Sequence, residues 1–326
     1  MARVFSAIQA TGGLHLGNYL GAIKAWVDGQ DEADCFYAIA DLHALTIPKE
    51  RGEVGAHTLE LAKVLLACGL DVNRCTFFVQ SHVREHSELA WLMQCVTSMG
   101  ELNRMTQFKD KTQNRKFISA GLFTYPALQS ADILLYDTDK VPVGEDQRQH
   151  IELARDTAER FNSRYGETFV LPVASIPRAA ARVMDLQDPT SKMSKSAASE
   201  AGTIFLSDDP KAILKKFKRA VTDSESEVRF DFAEKPGVSN LLSILGAATG
   251  SDPASIASGY SQYGPLKVDA AEAVIEALAP IQARIAELDN DPSGVRAALK
   301  TGADKARKVA GVVVERAKTN IGLLVD

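Results

Sequence analysis

No stretch of this chain approaches the roughly 18 uninterrupted apolar residues that a membrane-spanning helix needs. A helical membrane protein is therefore excluded. Cysteine is scarce as well. Cys35, Cys68, Cys75 and Cys95 are the whole complement, none has C-x-x-C spacing, and all lie in segments that read as core. The expectation is reduced packing residues of a cytoplasmic protein, with no disulfide framework and no metal site. Neither sign of charge dominates, because 37 Lys and Arg meet 42 Asp and Glu for a net −5. That argues against wholesale nucleic-acid coating and DNA binding but leaves room for a local basic patch. Internal repeats and low-complexity tracts are absent. The opening "MARVFSAIQ" goes straight into a strand-like segment, so no cleaved leader is expected.

What is present first is alternation. "RVFSAIQ" is a β-rich run broken by Gly12, Gly13 and Gly17, and from Asn18 onward Leu20, Ile23 and Val27 recur at helical spacing. "CFYAIAD" (35–41) and "CTFFVQ" (75–80) are further strands. Helices follow in "HTLELAKVLLACG", where Gly69 suits the stop, and in "ELAWLMQCV". "DKVPVGED" leads into the helix "QRQHIELARDTAERFN". Strand–helix repetition predicts an α/β fold with right-handed crossovers and an open parallel sheet. After about residue 190 the strand signals fade and four long segments read as helices. The predicted organisation is a Rossmann-like domain over 1–190 and a helical domain over 191–326. Two basic clusters fall in the second half. One is Lys211, Lys215, Lys216, Lys218 and Arg219; the other is Lys300, Lys305, Arg307, Lys308, Arg316 and Lys318. Each fits a solvated helix face or an RNA-backbone footprint.

The segment "FSAIQATGGLHLGNYLGAI" (5–23) places a glycine turn between a strand and a helix start, where free N–H groups and the helix dipole attract phosphate. Gly12 and Gly17 have P-loop spacing, but Asn18 and Tyr19 stand where such a loop has Lys and Ser or Thr. The turn can hold a nucleotide yet brings no cation for its outer phosphates. Elsewhere, "DPTSKMSKSAAS" (188–199) carries Lys192 and Lys195 among serines, in a stretch too small and polar for core. Taken alone it fits a solvated loop. It equally fits a mobile cationic loop that meets an anion bound elsewhere.

"HLGN" after "QATGG" resembles the first signature motif (HIGH) of the class I aminoacyl-tRNA synthetases, and "KMSKS" (192–196) matches their second letter for letter. Both occur in the family's order. "VPVGEDQRQHIELARDTAERFN" (141–162), "GELNRMTQFKDK" (100–111) and "AVTDSE" (220–225) further resemble the tryptophanyl branch of the family, and that resemblance runs through nearly the whole chain. It implies activation of L-tryptophan by ATP, transfer to tRNA(Trp), Mg²⁺ carried mainly by the ATP phosphates, and a homodimer formed through residues 75–125. Alternatives are a tyrosyl-tRNA synthetase or a non-catalytic RNA-binding relative.

By the same resemblance His15 and Asn18 serve the α-phosphate, and Lys192 and Lys195 with Ser194 serve the outer phosphates. The nucleotide set also includes Gln9, Ala10, Thr11, Gly17, Lys111, Gly144, Glu145, Asp146, Val183, Met193 and Ser196. Asp146 is implied to accept from the ribose hydroxyls and Val183 to lie against adenine. A tryptophan pocket needs one buried acceptor, since the indole N–H only donates. Asp132 matches the family residue in that role, although an N-cap of a following helix is its alternative reading. Phe5, His43, Tyr125, Gln129, Val141, Val143 and Gln147 complete the implied pocket. Two departures stand out. Gln129 replaces a methionine usual in the family and gives Tyr-x-x-x-Gln-x-x-Asp, a pattern resembling a tyrosine pocket; Ala10 replaces a proline before the first motif.

Overall fold

Side-chain alternation along the strands separates two cores. The computed structural model describes residues 1–10, 12–112, 117–175, 183–194 and 199–324. Among these, five parallel strands form one sheet: β1 (Arg3–Ile8), β2 (Asp34–Ile39), β3 (Thr76–Val79), β4 (Lys140–Pro142) and β5 (Val173–Ser175). β2 sends Cys35, Tyr37 and Ile39 to one face, and Phe36 and Ala38 to the other. β3 does the same with Phe77 and Val79 against Phe78. Continuous apolar runs of this kind are what a sheet covered on both faces requires.

The strand order is β3-β2-β1-β4-β5. The chain therefore winds outward in one direction from β1 to β3, and in the other from β4 to β5. A crevice results at the carboxyl ends of β1 and β4. β5 has no counterpart among the sequence expectations; it is three residues long and follows Pro172, so periodicity has nothing to register.

The first helix opens with an α turn at Leu16–Asn18, passes through a π-helical turn at Tyr19–Ile23 and continues as α over Lys24–Gly29. Leu20, Ile23 and Trp26 are buried, whereas Val27 is only half-buried. The wider π turn changes which residues face inward and explains why Trp26 replaces Val27 in the expected stripe. Further helices span Glu53–Ala67, Glu85–Val96, Ala120–Leu134 and Arg148–Tyr165 in the sheet-bearing part, and Pro210–Lys218, Pro236–Thr249, Tyr263–Asp289 and Pro292–Ile321 beyond it. Among the described residues no strand follows Ser175.

The last helix returns to the sheet. It starts in one core with Val295 and Leu299 and ends in the other with Ala303, Ala306, Ala310 and Val313. At the crossing, a Cβ on Gly302 would lie 1.7 Å from the Phe77 carbonyl oxygen, so only glycine lets this helix cover the edge strand β3. Its basic residues hold it there. Lys305 donates to the Val72 carbonyl at 2.8 Å, Arg307 donates to the His82 carbonyl, Arg316 pairs with Asp137, and Lys318 reaches Glu88 at 3.2 Å. These four cations of the expected RNA footprint are thus engaged within the chain. Of that cluster Lys300, Lys305, Arg307 and Lys308 are exposed, and Lys300 lies 3.7 Å from Asp304. In the other cluster Lys216 turns inward to Asp208 at 2.7 Å, leaving Lys211, Lys215, Lys218 and Arg219 exposed. One cysteine also departs from expectation: Cys95 is exposed, on the outer face of Glu85–Val96. No described helix is long and apolar enough to cross a membrane.

Candidate active site

A cavity of about 350 Å³ opens in the crevice at the ends of β1 and β4. Phe5, His43, Tyr125, Gln129, Asp132, Val141, Val143 and Gln147, the eight residues assigned to the amino acid, all line it. So do Gln9 and Lys111 from the nucleotide set. β1 supplies Phe5 and, just past its end, Gln9; β4 supplies Val141, with Val143 next in chain. Helix Ala120–Leu134 contributes Tyr125, Gln129 and Asp132, spaced to share one face.

Asp132 lies two residues from the C-terminal end of that helix, and the cap at its start is Ser119. The N-cap reading of Asp132 is therefore wrong. The carboxylate is 2 % exposed and accepts three hydrogen bonds. Oδ2 accepts from His43 Nε2 at 2.7 Å, while Oδ1 accepts from Gln80 Nε2 at 2.7 Å and from His86 Nδ1 at 2.6 Å. Burial alone pushes this carboxyl upward. The His43 side chain and the hydrogen bond from His86 more than offset it and hold the group well below the usual carboxylate range. A carboxylate has about four acceptor positions, so one remains.

The adjoining wall is aromatic and basic. Tyr125 hydroxyl lies 3.0 Å from His150 Nε2, and Lys111 Nζ sits 4.7 Å from the centre of the Tyr125 ring. Burial, then the Lys111 charge, push the His150 imidazole down to about 4, and burial pushes the Tyr125 phenol up to about 12. Both groups are neutral at pH 7. Gln129 turns its amide to Gln147, donating to Oε1 at 3.4 Å, and Gln147 Nε2 donates to Asp146 Oδ2 at 2.8 Å. Helix Arg148–Tyr165 has Gln147 as its N-cap, with no side-chain bond across the cap. Asp146 therefore does not serve as the helix cap. A Cβ on Gly144 would come 2.8 Å from Asp146 Oδ1, so the glycine makes room for that carboxylate.

The two signature segments adjoin one another. Gly12 has φ +92°, the left-handed conformation that the turn after β1 demands. His15 precedes the helix and is 5 % exposed; its backbone N–H donates to Asn18 Oδ1 at 3.1 Å, so Asn18 offers a ligand chiefly its two amide protons. Leu16 N donates to Ile204 O and Leu206 N to Leu14 O, a short ladder that ties the glycine turn to the segment after the lysine stretch. Lys192 forms a β-bridge with Met184, and Met193 is buried with its N–H on the Val183 carbonyl. A Cβ built on Gly17 would lie 3.6 Å from Met193 Cβ and 3.1 Å from His15 Nδ1. Residues 15–17 and 192–193, far apart in sequence, are thus in van der Waals reach.

The root of the lysine stretch is firm. Asp188 accepts from Thr190 and Ser191 hydroxyls at 2.6 Å each, and the Ser191 bond leads the causes that lower its carboxyl. Lys192 is exposed, Ser194 half-buried and Ala10 buried. Val183 is buried against Met193 and does not line the cavity. Thr11, Lys195 and Ser196 lie outside the described residues, as does the side chain of Glu145. Among the described residues no group of three or more His, Cys, Asp or Glu side chains could hold a metal ion.

Sequence reasoning missed Gln80, His86 and Tyr136. Gln80 closes "CTFFVQ" and had a signal available, since a polar residue just past a buried parallel strand faces the crevice. His86 and Tyr136 had none; only packing brings them to Asp132.

A family model described as tRNA synthetases class I (W and Y) matches residues 1–279. The chain is 50 % identical over 326 residues to a tryptophan–tRNA ligase of Caldanaerobacter subterraneus subsp. tengcongensis, covering 99 % of each. Its fold matches the crystal structure of tryptophanyl-tRNA synthetase from Mycoplasma pneumoniae with TM-score 0.92 and 36 % identity, covering 99 % of this chain and 98 % of that one. The enzyme of Campylobacter jejuni, crystallised with ADP and tryptophan, matches with TM-score 0.84 and 36 % identity, covering 98 % and 100 %.

Proposed function

We infer the activity from one premise: the chain belongs to the class I tRNA synthetases of the tryptophan and tyrosine group. It ligates tryptophan to tRNA at the expense of ATP. In the first step a carboxylate oxygen of tryptophan attacks the α-phosphorus, the bond to the β-phosphate oxygen breaks, and pyrophosphate leaves. In the second, a terminal ribose hydroxyl of the tRNA attacks the activated carbonyl and AMP departs. No general base is required for the first step, because a carboxylate of pKa roughly 3.5 is already ionised at neutral pH. The work is alignment and stabilisation of the charge on the leaving group.

The observation that carries the reading is Asp132, a buried anion with one acceptor position left, in a cavity at the sheet's crossover crevice. Indole N–H suits it. Phenylalanine would leave that position unpaired, a stronger basis for rejection than pocket size. Gln129 directs its Nε2 to Gln147 at 3.4 Å, and the whole-length relatives named tryptophan–tRNA ligase favour tryptophan over tyrosine.

For the nucleotide, His15 and Asn18 are assigned to the α-phosphate, Lys111, Lys192, Ser194 and Lys195 to the outer phosphates, and Gly144 and Asp146 to the ribose. The closeness of Gly17 to Met193, where an added Cβ would lie 3.6 Å from the Met193 Cβ, supports this, because it puts the two signature segments side by side. Mg²⁺ would travel on the phosphate oxygens and add positive charge there. Trp91, Met99, Phe117 and Ile118, all strongly exposed and all within 75–125, support a homodimer through that segment. Lys211, Lys215 and Lys218 support tRNA-backbone contact. Amino-acid-dependent ATP–pyrophosphate exchange is the test. Stimulation by tryptophan and not tyrosine is expected; the reverse would replace the assignment.

A further inference from the structure

We propose that Gln80 and His86, the latter backed by Tyr136, are positioning residues that fix the Asp132 carboxylate and thereby set selectivity for the ring N–H of the amino acid. The inference rests on the tryptophan reading above and deepens it.

Gln80 is 1 % and His86 0 % exposed, and neither lines the cavity, so both act only through Asp132. Their protons are assigned by the bonds behind them. Gln80 Oε1 accepts from the Leu42 N–H at 3.1 Å, which leaves Nε2 as the atom that donates to Asp132 Oδ1. Asp132 Oδ1 can only accept, so His86 Nδ1 carries a hydrogen, and the Tyr136 hydroxyl lies 2.8 Å from the other ring nitrogen, Nε2. In the neutral imidazole Nε2 then accepts from the Tyr136 hydroxyl, while Nδ1–H donates to Asp132 Oδ1 at 2.6 Å. Both acceptor positions of Oδ1 are filled from behind. Oδ2 takes His43 Nε2 at 2.7 Å, and His43 itself lines the cavity. The carboxylate cannot rotate without breaking two buried charge-assisted bonds, so the last Oδ2 position is held in one direction. An acceptor so fixed rewards a ligand with a donor at that one point.

The probe is a pair of amino acids, tryptophan and β-(3-benzothienyl)alanine, whose ring sulfur replaces the N–H at nearly equal size. ATP–pyrophosphate exchange gives kcat and KM for each. Wild type should prefer tryptophan by about 100-fold in kcat/KM, the scale of one hydrogen bond to a buried charge. In His86→Phe the tryptophan KM should rise about 10-fold with kcat within about 3-fold, while the sulfur analogue stays within about 3-fold of wild type. His86→Asn, which restores an N–H at the Nδ1 position, should recover most of the preference. Tyr136→Phe keeps the ring and frees the tautomer; it should cut the preference by about 3-fold, and it decides the matter if His86→Phe does not fold. An equal loss for both amino acids, or an unchanged preference in these variants, overturns the proposal. Wild-type exchange driven by tyrosine would instead overturn the underlying reading, a separable result.

Discussion

Asp132 sits 2 % exposed beneath three donors within 2.7 Å, whereas Lys192, in the second signature segment, stands in solvent in a β-bridge with Met184. The side assigned to the amino acid is organised before any ligand arrives: its buried carboxylate is held by three donors from within, and its charge is desolvated. The side assigned to the phosphates is assembled from two distant segments that adjoin one another while a lysine faces water. The contrast follows from the ligands. An indole offers a single weak dipole, and only a dry, fixed acceptor can weigh it against a phenyl ring. A triphosphate carries its own large charge and is recruited by exposed ammonium groups, whose strongest action belongs to the moment when pyrophosphate leaves.

The most severe way to break this division is Lys195→Ala. Adenylate formation should slow by more than about 100-fold, on the order of 3 kcal/mol, with tryptophan affinity little changed. Stopped-flow adenylate formation at near-wild-type rate would return the loop to a solvated surface segment. On the other side, Asp132→Ala should raise the tryptophan KM by about 30-fold, roughly 2 kcal/mol, because three buried donors lose their acceptor along with the indole. A KM within about 3-fold of wild type would move the indole acceptor elsewhere.

Gly17→Ala sharpens the contrast at the junction. Its new methyl would lie 3.1 Å from His15 Nδ1, so the imidazole must shift; alanine is otherwise the better helix former. Adenylate formation should fall about 10-fold, about 1.4 kcal/mol, with the tryptophan KM unmoved. A rise in KM instead would mean that the two sides are not separable there.

The smallest effect is on stability. His150 behind Tyr125 titrates near 4 when folded and near 6.5 when unfolded. As pH falls through 6.5 the unfolded chain takes up a proton that the folded chain refuses, so this contribution is present above 6.5 and is lost between 6.5 and 4. Between pH 7 and 5.5 the loss should be about 1 kcal/mol. Thermal unfolding of wild type and His150→Gln at both pH values checks it, and equal pH slopes would rule it out.

Much of this was legible in residues. Glycine after a β-rich run, the "HLGN" and "KMSKS" strings and the apolar runs 35–39 and 76–79 are local patterns, and local patterns report backbone preference and burial directly. The eight pocket residues were also named in advance, through resemblance. The π turn at Tyr19–Ile23, the strand Val173–Ser175 and the exposure of Cys95 were not, because a short element's form and a residue's outward face depend on what packs against them.

What the sequence alone determined, then, is the kind of sheet and the order of the two signature segments, and through resemblance it singled out Asp132. Only the tertiary structure decided that Gln80, His86 and Tyr136 stand behind that acceptor, and that Gly302 lets the last helix lie across β3 with most of its basic side chains tied down. The reason is distance along the chain. His86 and Asp132 are 46 residues apart, and Gly302 and Phe77 are further still, so no periodicity links them and only the folded core brings them together.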